Sequence, residues 1–277
     1  MNLSEMRQIL DREGIRLTRS LGQNFLHDAN QLQRIVGAAR LQPGDQVLEI
    51  GPGLGALTEW LVREPVRVLA VEVDRRLHEL LRQRLAAADN LTLVLADALE
   101  YLRTTPQDWR AWKVVSNLPY SVASPILVEL ALHPLGPQQM TVTLQWEVVQ
   151  RLMARPGSAD YGVLTLLIQL DYLVQDWFKI PAGCFFPVPE VDSGCLTLCR
   201  RPAPLLAASL RPAFVQLVKQ GFSQRRKMLR KLLKALRPEA EVDHALAGLG
   251  LPPTVRGEAL SLEQWVALTR QLGEMHV

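Results

Sequence analysis

Apolar runs alternate with amphipathic stretches through the first half of the chain. Residues 29–39 carry helical spacing, 47–50 an apolar run, 56–62 a second helical pattern and 66–71 a second apolar run, which together read as a β-α-β unit. A further helix fits 75–88. It is followed by apolar 91–95, a polar connection, the short run 114–115, a helix near 125–132 and a strand over 140–145. This repetition predicts an α/β fold on a parallel, doubly wound sheet.

After a helical stretch at 148–154 the pattern changes. Residues 162–173, Phe178, Val188 and 195–198 are separated by prolines and predict late strands and loops at one sheet edge. Pro202, Pro204 and Pro212 mark a linker, since each ring removes an N–H and biases the preceding residue away from helix. From Phe214 onward the signals are helical. The expected organisation is an α/β domain over 1–200 and a small helical domain over 201–277.

Composition changes this picture little. With 277 residues, 48% of them hydrophobic and 21% charged, the chain is an ordinary globular one. It has no charge-free apolar run of about 18 residues, and residues 1–14 mix acids with bases, so no membrane segment and a cytoplasmic location are expected. Cys184, Cys195 and Cys199 have no histidine or second pair at zinc-ligand spacing, which predicts reduced thiols and no metal. A net charge of +3 does not by itself identify a nucleic-acid partner; the distribution of the basic residues decides.

The chemistry begins at Val47-Leu48-Glu49-Ile50-Gly51-Pro52-Gly53-Leu54-Gly55, a glycine turn between a buried strand and a helix. Glycine there lets the backbone approach a ligand, and the helix start offers free N–H groups. With Ala56 the stretch also satisfies the dinucleotide pattern G-x-G-x-x-A, so at this point a nicotinamide cofactor and S-adenosylmethionine are both open. Glu72 and Asp74 close the next strand, where an acid would grip a ribose diol. Asp97 closes the third, placed to accept from an adenine amine.

Asn117-Leu118-Pro119-Tyr120 follows the fourth strand. An exocyclic amine is a poor nucleophile while its lone pair is delocalised into the ring, and two acceptors on its N–H groups draw the nitrogen toward tetrahedral geometry. The Asn117 side-chain oxygen and the Leu118 carbonyl, braced by Pro119, are the candidates, with Tyr120 available to stack on the base.

This tetrad resembles the N-(L/P)-P-Y motif of amino-methyltransferases, and most of the chain resembles the ribosomal RNA adenine dimethyltransferases. The resemblance includes Leu21-Gly22-Gln23-Asn24-Phe25-Leu26, the Glu49–Gly55 loop, Glu72 with Asp74, Asp97, Tyr161-Gly162, Phe185-Phe186-Pro187-Val188-Pro189, Val191-Asp192-Ser193 and Phe222-Ser223-Gln224-Arg225-Arg226-Lys227. It implies a Rossmann-like methyltransferase using S-adenosylmethionine. Asn24, Leu26, Gly51, Glu72, Asp97 and Asn117 would be at the cofactor; Tyr120 and Phe185 would sandwich the target base, leaving core packing to Phe186. Ala96 in place of a usual glycine, and Ser121-Val122-Ala123-Ser124 after the tyrosine, depart from the family pattern.

Within the family the resemblance is greatest to the bacterial small-subunit branch. It implies N6,N6-dimethylation of two adjacent adenines near the 3′ end of 16S rRNA, within the small ribosomal subunit or its precursor. Arg225, Arg226, Lys227, Arg230, Lys231, Lys234 and Arg237 alternate with Leu229, Leu232, Leu233 and Leu236, which predicts a two-faced helix with an outward basic face for RNA phosphates. A monomer is expected. A nicotinamide dehydrogenase, a large-subunit RNA methyltransferase and a mainly non-catalytic ribosome assembly factor are the competing readings.

Overall fold

The computed structural model describes residues 1–15 and 23–273, so Leu21 and Gly22 of the N-terminal motif lie outside the described residues. Two compact units emerge: one comprises Met1–Val149 with Leu173–Arg200, the other Gln150–Tyr172 with the chain from Arg201 on. The boundary differs from the expected one at residue 200, because Gln150–Tyr172 packs with the helical unit.

In the first unit a seven-stranded sheet is formed by β2 (Gln46–Ile50), β3 (Arg67–Glu72), β4 (Leu91–Leu95), β5 (Trp112–Asn117), β6 (Gln139–Gln145), β7 (Tyr172–Ile180) and β9 (Ser193–Arg200), in the order β4-β3-β2-β5-β6-β9-β7. Strands β2 to β6 pair in parallel, and β9 runs antiparallel to β6. The central strands β2, β5 and β6 are buried almost end to end, which is why they read as continuous apolar runs. A separate two-stranded ribbon pairs β1 (Phe25–Leu26) with β8 (Phe185–Phe186), matching Phe25 to Phe186 and Leu26 to Phe185. Strand order reverses between β2 and β5, opening a crevice at their carboxyl ends.

Three local differences from the sequence reading have physical causes. The apolar run read as strand from residue 162 is a helix at Val163–Gln169 before β7 begins, since a short, mostly apolar run has no clear period to separate the two states. Its start is held by Thr165, whose Oγ1 accepts from Gly162 N–H at 3.2 Å and donates to the Arg151 carbonyl at 2.6 Å. The polar connection after β4 is a helix, Ala98–Thr104, capped by Asp97. An amphipathic helix at Leu3–Arg12, closed by an Asn2/Glu5 capping box, precedes the ribbon.

The helical unit contains Arg211–Gly221, Leu229–Leu233, Glu239–Gly248 and Leu262–Leu272. Phe222 stacks on Trp265 at 5.9 Å between centroids and meets Tyr161 edge-on at 6.1 Å; the Tyr161 hydroxyl donates to the Leu260 carbonyl at 2.8 Å. The continuous basic helix expected from Arg225 onward does not form. Arg225, Arg226 and Lys227 lie in a turn, and only Leu229–Leu233 is helical. Leu229, Leu232 and Leu233 are buried as expected, but Arg230 points into an acidic clasp, 2.6 Å from Glu239 and 3.1 Å from Asp243. Arg237 donates to the Leu272 carbonyl at 2.9 Å and Arg225 to that of Ala159 at 2.6 Å. The stretch 225–237 has no acid of its own, yet the following helix supplies the counter-charges. Arg226, Lys227, Lys231 and Lys234 remain exposed.

Candidate active site

At the carboxyl ends of β2, β3, β4 and β5 lies a cavity of about 680 Å³ including its open mouth. Gly51, Gly53 and Gly55, with φ of +66°, +61° and +84°, carry the turn after β2 in the left-handed region that side chains rarely adopt. The ring of Phe25 occupies the space a Cβ on Gly53 would need, with Cδ1 at 2.8 Å. This turn is therefore closed over by the ribbon strand β1.

Glu72, at the end of β3, is buried. Its carboxylate accepts from Gly53 N–H at 3.0 Å and from Asp74 N–H at 2.9 Å, so one side chain ties the glycine turn to the next strand end. Burial raises its pKa, with these two hydrogen bonds opposing the shift. Asp74 caps the following helix and is bound by Arg76 and, at 3.4 Å, by Gln23 Nε2; the Arg76 contact chiefly lowers its pKa. Asp97 caps its own helix through Oδ1 at 3.0 Å to Glu100 N–H and lines the cavity.

Asn117, at the end of β5, donates from Nδ2 to the Asn24 carbonyl at 3.0 Å. Its Oδ1 is buried with no hydrogen-bond partner. A buried acceptor without a partner is costly unless a ligand supplies one, and Asn117 is among the residues that line the cavity. Leu118 is buried and its N–H donates to the Thr143 carbonyl at 3.2 Å. Pro119 stands over Gly51, its Cγ only 2.8 Å from where a Cβ would be. Gly51 and Pro119, from two distant motifs, thus meet at the strand-order reversal.

Tyr120 is largely buried, and its hydroxyl lies 2.5 Å from Ser193 Oγ. Burial pushes the phenol up to about 12, with the Ser193 bond opposing. Phe185 meets Tyr120 edge-on, 6.4 Å between centroids and 62° between planes. Phe185 is only 1% exposed and belongs to the hydrophobic core, whereas Phe186 is partly exposed with Arg7 over its ring at 5.2 Å. Phe185 is turned inward in the β1–β8 pairing, and Phe186 also packs against the core while staying partly exposed. A base cannot lie flat between two rings at this angle, so Tyr120 and Phe185 do not form an open parallel slot.

Leu26 is likewise buried in the core and its side chain does not line the cavity, while Asn24, Gly51, Glu72, Asp97 and Asn117 all do. Sequence reading gave no role to Val73, Leu99, Val122 and Ile126, which form the apolar walls. Val73 had a signal: it is an apolar residue between two acids at a strand end, and it stays exposed. The donor set fits S-adenosylmethionine: apolar walls for a purine, acids at two strand ends for a diol and an amine, and a glycine turn that admits close backbone approach. Among the described residues no helix is long and apolar enough to cross a membrane.

Comparison with known proteins places the chain in a family. The family model described as ribosomal RNA adenine dimethylase matches residues 14–272. The chain is similar to proteins named ribosomal RNA small subunit methyltransferase A, at 39% identity in Moorella thermoacetica, covering 94% of both chains, and 40% in Geobacter metallireducens, covering 94% of this chain and 97% of that one. Among solved structures it resembles a dimethyladenosine transferase from Plasmodium falciparum, with a TM-score of 0.76, 23% identity and coverage of 88% and 95%. It also resembles the 23S rRNA methyltransferase ErmE, with a TM-score of 0.66, 29% identity and coverage of 90% and 99%.

Proposed function

Since the chain belongs to the ribosomal RNA adenine dimethylase family, we propose that this methyltransferase dimethylates N6 of two adjacent adenines in the 3′-terminal hairpin of 16S rRNA, on small-subunit particles or their precursors. The observation that carries the chemistry is the open, buried Oδ1 of Asn117 at the cavity wall.

Bound S-adenosylmethionine supplies an electrophilic sulfonium methyl. The protein's part is to hold the amine. Asn117 Oδ1 and the Leu118 carbonyl accept the two N6–H groups, localise the lone pair on nitrogen and point it at the methyl group. Both acceptors are preorganised: Asn117 by its bond to the Asn24 carbonyl, Leu118 by its N–H bond to Thr143 and by Pro119 against Gly51. Nitrogen would gain positive charge on accepting the methyl group, which these dipoles would stabilise, and would then release one proton to water. The monomethylated amine keeps a single N–H, which one of the two acceptors holds for the second transfer that completes each adenine. Tyr120 offers its ring to the base as a neutral phenol, and Phe185 braces it from the core side. Positioning and electrostatics supply the acceleration. Asn24, Gly51, Glu72 and Asp97 hold the cofactor from the cavity wall, and Leu26 acts through its place in the ribbon.

Exposed Arg226, Lys227, Lys231 and Lys234 meet RNA phosphates, adding affinity without sequence preference. A hairpin loop suits the site because its bases are already partly unstacked. Binding to immature subunits would couple methylation to their biogenesis.

The test is incorporation of tritiated methyl from S-adenosylmethionine into small subunits lacking the dimethyladenosines, beside naked 16S RNA, large-subunit RNA and the Asn117→Ala protein. Labelling of the small-subunit particle by wild type, digesting to dimethyladenosine, is expected. Labelling only of large-subunit RNA moves the target to the other subunit, the reading favoured by the likeness to ErmE. Cofactor binding without labelling of any RNA leaves a binding factor for subunit assembly.

A further inference from the structure

Outside the cavity, the first unit exposes one aromatic feature that the chemistry above does not use. Trp177, on the edge strand β7, is 49% exposed, and its ring lies against that of Trp146 at 5.4 Å between centroids and 48° between planes. Trp146 immediately follows β6, and Lys179 reaches over its ring at 5.5 Å. Val188 and Val191, in the loop leading into β9, are exposed as well. A pair of large rings at a sheet edge, one half open to solvent, is not needed to close the core.

The position of this pair is specific. Trp146 N–H donates to the Asp192 carbonyl at 2.9 Å, and the next residue, Ser193, holds the Tyr120 hydroxyl at 2.5 Å. Gln145 and Ser193 are register partners at the end of β6 and β9. The tryptophan pair therefore continues directly from the edge of the target-base site, joined to it through two consecutive residues. Its one lysine is already neutralised, Lys179 being paired with Asp192 at 2.9 Å, while Glu147 and Asp176 adjoin the two tryptophans in the chain. A site for phosphate would carry free cations; here the lysine beside the rings is paired, and the open indole face fits the flat, uncharged face of a base.

We propose that Trp177, backed by Trp146, is a stacking platform for an unpaired RNA base flanking the target adenine. This rests on the proposed reaction on RNA. It gives Trp177 a positioning role: the neighbouring nucleotide is held while the target adenine enters against Tyr120. The two adjacent adenines of the proposed substrate make this economical, since one can occupy the platform while the other is methylated.

The experiment compares wild type, Trp177→Ala and Trp177→Phe on undermethylated small subunits and on a hairpin-loop RNA oligonucleotide, intact or with single abasic sites beside the target adenine. Trp177→Ala is expected to raise KM for RNA about tenfold, from the usual strength of base stacking, with kcat unchanged and Trp177→Phe restoring most of the loss. The loss should not change as salt is raised, unlike that of a phosphate contact. One abasic site should reproduce the loss in wild type and add nothing in Trp177→Ala. Indole fluorescence quenching by the oligonucleotide, absent in Trp177→Phe, reads the contact without catalysis, so it stands even if wild type methylates no RNA and the proposed reaction falls. Unchanged KM in Trp177→Ala, abasic penalties equal in both proteins, or weakened particle binding with oligonucleotide quenching intact would each overturn the platform, the last by assigning the face to a protein.

Discussion

Gly51 and Pro119 meet across the strand-order reversal: the glycine has φ +66°, and a Cβ on it would lie 2.8 Å from Pro119 Cγ. The turn that shapes the cofactor cavity and the turn that presents the amine acceptors are thus one packed unit. Substituting Gly51 disturbs both. Gly51→Ala is expected to cost about 1–2 kcal/mol of stability from the left-handed backbone alone. It should also weaken S-adenosylmethionine binding at least tenfold, read by calorimetry beside a thermal melt. Unchanged cofactor affinity would show that the contact is not part of the binding geometry.

Asn117 has one end tethered and one end open. Removing the open acceptor in Asn117→Ala should lower kcat by about 10²–10³-fold, the usual effect of losing one preorganised dipole. Cofactor affinity, measured separately, should fall much less. A kcat within threefold of wild type would remove Asn117 Oδ1 from the amine site.

Glu49 is buried in the middle of the sheet, and burial, reinforced by the Glu72 charge and opposed by the Thr58 hydroxyl, raises its pKa from 4.5 to about 8. The folded protein therefore holds a proton that the unfolded chain releases between these values. The stability tied to neutral Glu49 is fully present below the unfolded pKa and is lost as pH rises through about 8. Melting temperatures taken from pH 5 to 9 should fall with pH in wild type and fall less steeply in Glu49→Gln. Parallel curves for the two proteins would place the titration elsewhere.

The basic segment divides into two classes. Arg230, clasped by Glu239 and Asp243, is structural, so Arg230→Ala should lower stability by about 1 kcal/mol and leave the salt dependence of RNA binding unchanged. Single replacement of Lys227, Lys231 or Lys234 by Ala should do the opposite, reducing the slope of log K against log salt by about one each. Filter binding over a salt series separates them; a reduced slope for Arg230→Ala would return it to the RNA face.

The sequence by itself determined the sheet, the glycine turn, the acids at the strand ends and the Asn117–Tyr120 tetrad. Each is a local pattern: buried parallel strands are continuous apolar runs, and ligand turns follow them directly. Tertiary structure decided what distance in the chain conceals. Phe185 and Phe186 are adjacent identical rings, and only the pairing of β1 with β8 turns the first inward. Arg230 looks like its basic neighbours until the helix beginning at Glu239 folds against it. The mostly apolar residues after Gly162 carry no clear period, and their helical start is held by the contact of Thr165 with Arg151. Trp146 and Trp177 are thirty-one positions apart and become neighbours only when β7 takes the sheet edge. Local preference selects an element and its period; which face is buried, and which charge is already paired, follows from neighbours that only folding brings into contact.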